Sequence, residues 1–93
     1  MATELPPNTP TELALGTTLS EVKIFSRWLL VWGSDGETVY VATGALAHGD
    51  ALPATARPIP ASAIPFPFDV EPYGGTLFLA ASAACTALLE GRD

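Results

Sequence analysis

His48-Gly-Asp50 is the one place where this sequence sets an imidazole close to a carboxylate. General acid–base catalysis uses that pair, because a carboxylate can orient the ring and favour its charged form. A glycine between the two partners, inside a loop, fixes no geometry, and no Ser or Cys nucleophile motif accompanies them. His48 therefore reads as a surface-loop histidine. Cys85 is the only cysteine and His48 the only histidine. They cannot make an internal disulfide or a zinc cage, which needs three or four N/S ligands. With no cation near it in sequence, Cys85 should behave as a small hydrophobe. The ten carboxylates are spread along the chain. Asp69 and Glu71 share a strand face that reads as solvated, and no pair sets a general acid opposite a base. Gly74-Gly75 lacks the lysine and the strand-to-helix setting of a phosphate loop. No run of carboxylates has calcium-loop spacing. The expectation is a chain that is not an enzyme and uses neither cofactor nor metal.

Composition says what such a chain does instead. Ninety-three residues make a single domain. One this small buries only roughly 60% of its extended surface, so it is marginal unless a disulfide, a metal or a partner assists. Association is the staple left. Hydrophobic residues make up 48% and charged residues 15%, with a mean hydropathy of +0.33. About a quarter charged would be usual, so the surplus suggests apolar area covered by neighbours. A net charge of −6, with Lys23, Arg27, Arg57 and Arg92 as the only basic residues, argues against nucleic acid and anionic membranes. No signal peptide or membrane span is visible, so synthesis in a cytoplasm without a recognisable export route is expected.

The elements follow from hydrophobic spacing. Residues 1–18 carry Pro6, Pro7 and Pro10 and read as an extended, proline-rich N-terminal arm, with residues 19–93 as the body. Within the arm Leu13, Ala14 and Leu15 form an apolar patch. Val22 and Ile24 alternate with Glu21 and Lys23, a strand with one wet face. Trp28-Leu-Leu-Val-Trp32 is an unbroken apolar run, suited to a central strand covered on both faces. Asp35-Gly36 suits a tight turn, which makes residues 28–43 a hairpin returning through Thr38-Val-Tyr-Val-Ala. Residues 44–53 read as a loop. Pro58 and Pro60, then Pro65 and Pro67, are i, i+2 pairs that delete donors from one side of an extended chain, the mark of a guarded edge strand over residues 57–70. Ile64, Phe66, Phe68 and Val70 share its other face, as core. After the Gly74-Gly75 turn comes a strand with Leu77 and Leu79 on one face. Residues 82–90 are alanine-rich enough for helix, but a last strand, with Ala83, Cys85, Ala87 and Leu89 together, fits a β protein better. The fold class is all-β: a small antiparallel β-sandwich or jelly-roll-like barrel with an extended N-terminal arm.

This layout (an arm, residues 28–43 with their TVYVATG return, ALPATARPIPASAIPFPFDV, and a closing TLFLAASAACTALLEG) resembles the small β-sandwich structural proteins of tailed bacteriophages. Among these are capsid cement or decoration proteins and head- or tail-associated accessory subunits. The resemblance spans residues 19–92 and is one of pattern. It implies a non-enzymatic virion subunit, dimeric or trimeric, that clamps major capsid proteins on the outer surface of the shell. The residues expected to contact a partner are Leu5, Leu13 and Leu15 in the arm, with Trp28 and Trp32 from the apolar run. The rival readings are a receptor- or carbohydrate-binding tail module stacking sugars on Trp28, Trp32, Tyr40 or Tyr73, a small enzyme or inhibitor using His48 and Asp50, and a host-encoded β domain.

Overall fold

A computed structural model describes residues 3–32, 37–59 and 65–93. Among the described residues nine strands form two sheets: β1 (Thr3–Leu5), β2 (Thr11–Leu15), β3 (Ser20–Ile24), β4 (Trp28–Val31), β5 (Val39–Ala42), β6 (Arg57–Ile59), β7 (Phe66–Asp69), β8 (Thr76–Ala81) and β9 (Cys85–Arg92). One sheet has five strands in the order β1-β3-β8-β5-β6, and the other has four in the order β2-β9-β4-β7. All neighbours are antiparallel except β1 and β3. The shortest dimension, 21 Å, suits two layers about 10 Å apart with their outer side chains. Both sheets have open ends, so the molecule is a sandwich.

The inner faces follow the period-2 rule. Val22 and Ile24, Leu29 and Val31, Val39 and Val41, Leu77 and Leu79, and Ala87 and Leu89 meet in one buried cluster. The 85–92 stretch is a strand, with Ala87 and Leu89 inward as the alternation requires. Alanine's helix preference yields here because the strand gains β2 and β4 as partners on its two sides.

Two expectations are corrected. Residues 28–43 are not a hairpin: β4 lies in the four-stranded sheet and β5 in the five-stranded one. The expected tip, residues 33–36, falls outside the described residues. The chain changes sheet between most successive strands; only β5 and β6 follow one another in the same sheet. Crossings come in tied pairs. At one end Val70 donates to the carbonyl of Arg27 (2.8 Å) and Ile24 to that of Gly75 (2.8 Å). At the other, Ser82 donates its N–H to the Thr38 carbonyl at 2.9 Å. An apolar strand followed by breakers and a second strand suits a crossing between sheets as well as a hairpin.

The arm is corrected too. It is extended, but it belongs to the body: β1 pairs with β3, and β2 pairs with β9 over all five of its residues. Leu5 (1% exposed) and Leu15 (4%) are core residues. The prolines at 6, 7 and 10 do not stop pairing; they mark the link in which the chain leaves β1 and enters β2 on the other sheet.

The guarded edge is resolved into two. β6, with Pro58, ends the five-stranded sheet, and β7, with Pro67, ends the other. Trp32 donates to the Leu88 carbonyl. Strand alternation then turns the backbone of Leu30 toward β9 and those of Leu29 and Val31 toward β7. Pro67, opposite Leu30, therefore presents its donorless nitrogen to the open side. The same reasoning from the Ser82–Thr38 bond puts the nitrogen of Pro58 on the outside of β6. Pro60 and Ile64 lie outside the described residues. Phe66 and Phe68 pack on the core with ring centroids 4.9 Å apart, and Arg57 lies over Phe66 at 4.5 Å.

Candidate functional site

The two sheets treat their outer faces differently. On the five-stranded sheet, Phe78, Ala80 and Ala42 point outward yet are buried. β8 is thus covered on both faces, not one. The cover is the 43–56 segment: Leu46, Leu52 and Ala56 pack on Leu19, Ala42, Phe78 and Ala80. Backbone bonds fasten this roof, Gly49 donating to the Leu19 carbonyl (2.7 Å) and Leu19 to that of Asp50 (2.8 Å).

His48 and Asp50 serve the same roof. The Nδ1 of His48 accepts the N–H of Glu21 at 3.1 Å, and the Asp50 carboxylate accepts that of Ala47 at 3.0 Å. Each side chain is bound to a backbone N–H, one on β3 and one within the roof itself. Among the described residues, no three His, Cys, Asp or Glu side chains gather where they could hold a metal ion. No helix among them is long and apolar enough to cross a membrane.

The outer face of the four-stranded sheet has no such roof among the described residues. Leu29 and Val31 point into the core, which turns Trp28, Leu30 and Trp32 outward, each half-buried. The strand ladders set three ranks across the sheet. Trp28 stands between Arg92 and Asp69, Leu30 between Glu90 and Pro67, and Trp32 beside Leu88. Four residues of extended chain put the Cα atoms of Trp28 and Trp32 about 13 Å apart. Arg27 lies over the Trp28 ring at 5.4 Å and within ion-pair reach of Asp69 and Glu71, at 3.6 and 3.8 Å. These exposed pairs orient the guanidinium more than they stabilise the fold.

Glu90 is the unusual member. It is only 4% exposed although it belongs to an outer face, and its Oε2 accepts the Nε–H of Arg92 at 2.8 Å. A buried carboxylate needs such a partner, because desolvation otherwise penalises its charge. The half-exposed Arg92 thereby gains a fixed position at the side of Trp28.

Of the five residues expected at a partner interface, the structure brings Trp28 and Trp32 together on this face. Leu5 and Leu15 are excluded by burial in the chain's own core, and Leu13 packs against that core from β2. Of the aromatics proposed for sugar stacking, Tyr40 faces outward on the other sheet and Tyr73 sits in the crossing between β7 and β8. Leu30, Leu88 and Phe25 were not singled out from sequence. Phe25, at 64%, is the most exposed large apolar side chain described, followed by Tyr73 at 46%. Both lie in the tied crossings at the Trp28 end. The signal for Leu30 was available: once Leu29 and Val31 are inward, the other three residues of the run must share the opposite face.

The described residues thus form a β-sandwich with one sheet face covered by the chain's own 43–56 segment and, on the other, half-buried Trp28, Leu30 and Trp32. No protein-family model matches the chain, and no curated protein or solved structure matches it.

Proposed function

We propose that this chain is a non-enzymatic assembly subunit that beds the outer face of its four-stranded sheet on another protein. Taken with the resemblance to phage structural proteins, the partner is a virion shell protein, and the chain acts as a cement on the outside of the capsid. The observation that carries the docking reading is the asymmetry between the sheets. The fold spends the 43–56 segment covering Phe78 and its neighbours but leaves Trp28, Leu30, Trp32 and Leu88 partly open. Tryptophan is among the residue types that dominate protein interfaces, where truncation costs ~2 kcal/mol or more, and here two tryptophans flank Leu30. Arg92, held by the buried Glu90, and Arg27 would form the polar rim at the Trp28 end.

The experiment is co-sedimentation with intact shells of the phage that encodes the chain, comparing wild type with Trp32→Ser and with Tyr40→Ser as a control on the other sheet. Binding should fall at least tenfold for Trp32→Ser and stay unchanged for Tyr40→Ser. Equal binding by all three would overturn the assigned face. Shell-independent binding to a glycan array, lost in Trp32→Ser, would replace the cement reading with the carbohydrate one.

A further inference from the structure

A sheet edge that keeps its donors is a template for another strand, and the four edges here differ in what they keep. β6 and β7 turn Pro58 and Pro67 outward, as derived above. β1 is three residues long and parallel to β3, which leaves the backbone of Glu4 alone facing out. β2 runs five residues with no proline. Trp32 donates to the Leu88 carbonyl and Asn8 to that of Gly91, so Leu89, Ala87 and Cys85 face β2. Their partners Thr11, Leu13 and Leu15 are therefore bonded to β9. Glu12 and Ala14 turn both N–H groups and both carbonyls away from the sheet. Both residues are exposed, and among the described residues β9 is the one strand paired with β2.

We infer that this edge pairs with the β2 edge of a second copy of the chain, antiparallel about a two-fold axis through Leu13. Only residues whose groups face outward can make the ladder, which limits the register to Glu12 opposite Glu12, Glu12 opposite Ala14, or Ala14 opposite Ala14. The first sets like charges across a strand pair and is disfavoured. The last centres the ladder at the end of the strand and leaves Glu12 opposite Gly16, beyond β2. The middle register makes four hydrogen bonds and keeps the carboxylates apart. It also brings the two half-buried Leu13 side chains into a non-hydrogen-bonded pair, with Cα atoms about 4.5 Å apart. Such an interface is self-complementary, as a two-fold requires. Pro10 ends the ladder on each side.

The result is one continuous eight-stranded sheet whose outer face carries Trp28, Leu30 and Trp32 twice. This inference does not rest on the docking reading, since the dimer stands whether or not that face is used. If both hold, one dimer binds two sites, the second at high effective concentration.

Light scattering after gel filtration tests the dimer. Wild type should show about twice its 9.7 kDa chain mass. Ala14→Pro removes an outward donor that the monomer does not use, as Pro58 and Pro67 already do on their edges, and should halve the observed mass while the melting transition persists. Should that variant fail to fold, Leu13→Cys in a Cys85→Ser background decides. It should form an intermolecular disulfide under mild oxidation, because the paired Cα distance suits one, whereas Ala14→Cys in the same background should not. A monomeric wild type, a folded Ala14→Pro that stays dimeric, or failure of Leu13→Cys to cross-link would each overturn the pairing.

Discussion

The hydroxyl of Ser82 accepts the backbone N–H of Thr38 at 2.9 Å and donates to the Glu37 carboxylate at 2.7 Å. Ser82 lies in the crossing from β8 to β9, and Thr38 at the entry to β5. One side chain thus ties together two places where the chain changes sheet. Removing the hydroxyl leaves an exposed N–H that water can serve, so the loss is modest. Ser82→Ala should destabilise by about 1 kcal/mol, a fall in Tm of roughly 4–8 °C for a domain of this size. Thermal denaturation followed by circular dichroism checks it.

The N-terminal strands should behave as core. Leu5→Ala and Leu15→Ala each remove a fully packed side chain and should cost ~2–5 kcal/mol. Leu13→Ala, half-buried at the edge, should cost less. Small domains have about 5–15 kcal/mol in all, so deleting residues 1–17 should abolish cooperative unfolding. Urea denaturation reads each of these, and a truncated chain with an intact transition would contradict the placement of β1 and β2.

Gly75 faces two constraints at once. Its φ is +85°, and a Cβ there would lie 2.9 Å from the carbonyl oxygen of Ile24. The Gly75 carbonyl also accepts the N–H of Ile24, so the two strands cannot separate to make room. Gly75→Ala should therefore destabilise by about 2 kcal/mol. Gly44→Ala, where the added methyl meets nothing within 4 Å, should cost only the backbone strain. The difference between their urea midpoints is the measurement.

Glu90 and Arg92 should show strong coupling. Arg92→Met strands a buried carboxylate and should destabilise by about 1–3 kcal/mol. Adding Glu90→Gln should recover part of that loss, because the neutral amide no longer needs a charged partner. A double-mutant cycle in urea measures the coupling; simple additivity would show that the pair contributes nothing.

Legibility followed periodicity. Strands with one dry face, such as residues 20–24 and 85–92, could be read because alternate residues announce their side. Prolines announced both guarded edges, although not that residues 57–70 divide between two sheets. What stayed hidden depended on long-range pairing. The link from Trp32 to Thr38 has the same breakers whether β5 pairs with β4 or crosses to β8, and the choice is made by β8 and β9, some forty residues further on. The prolines of residues 6–10 suit a loose arm and a crossing link equally well. The open face was obscured because Trp28-Leu-Leu-Val-Trp32 is apolar throughout, the pattern of a central strand covered on both faces. That cover fell on the other sheet, supplied by a loop whose leucines show no period.

The chain's two tryptophans stand on one face, so indole fluorescence reports on that face alone. The decisive measurement is acrylamide quenching of the free protein and of the protein bound to phage shells, with the shell signal subtracted. Docking through the four-stranded sheet predicts ready quenching when free, and a several-fold smaller quenching constant with a blue-shifted emission when bound. Binding that leaves quenching and emission unchanged would contradict the account.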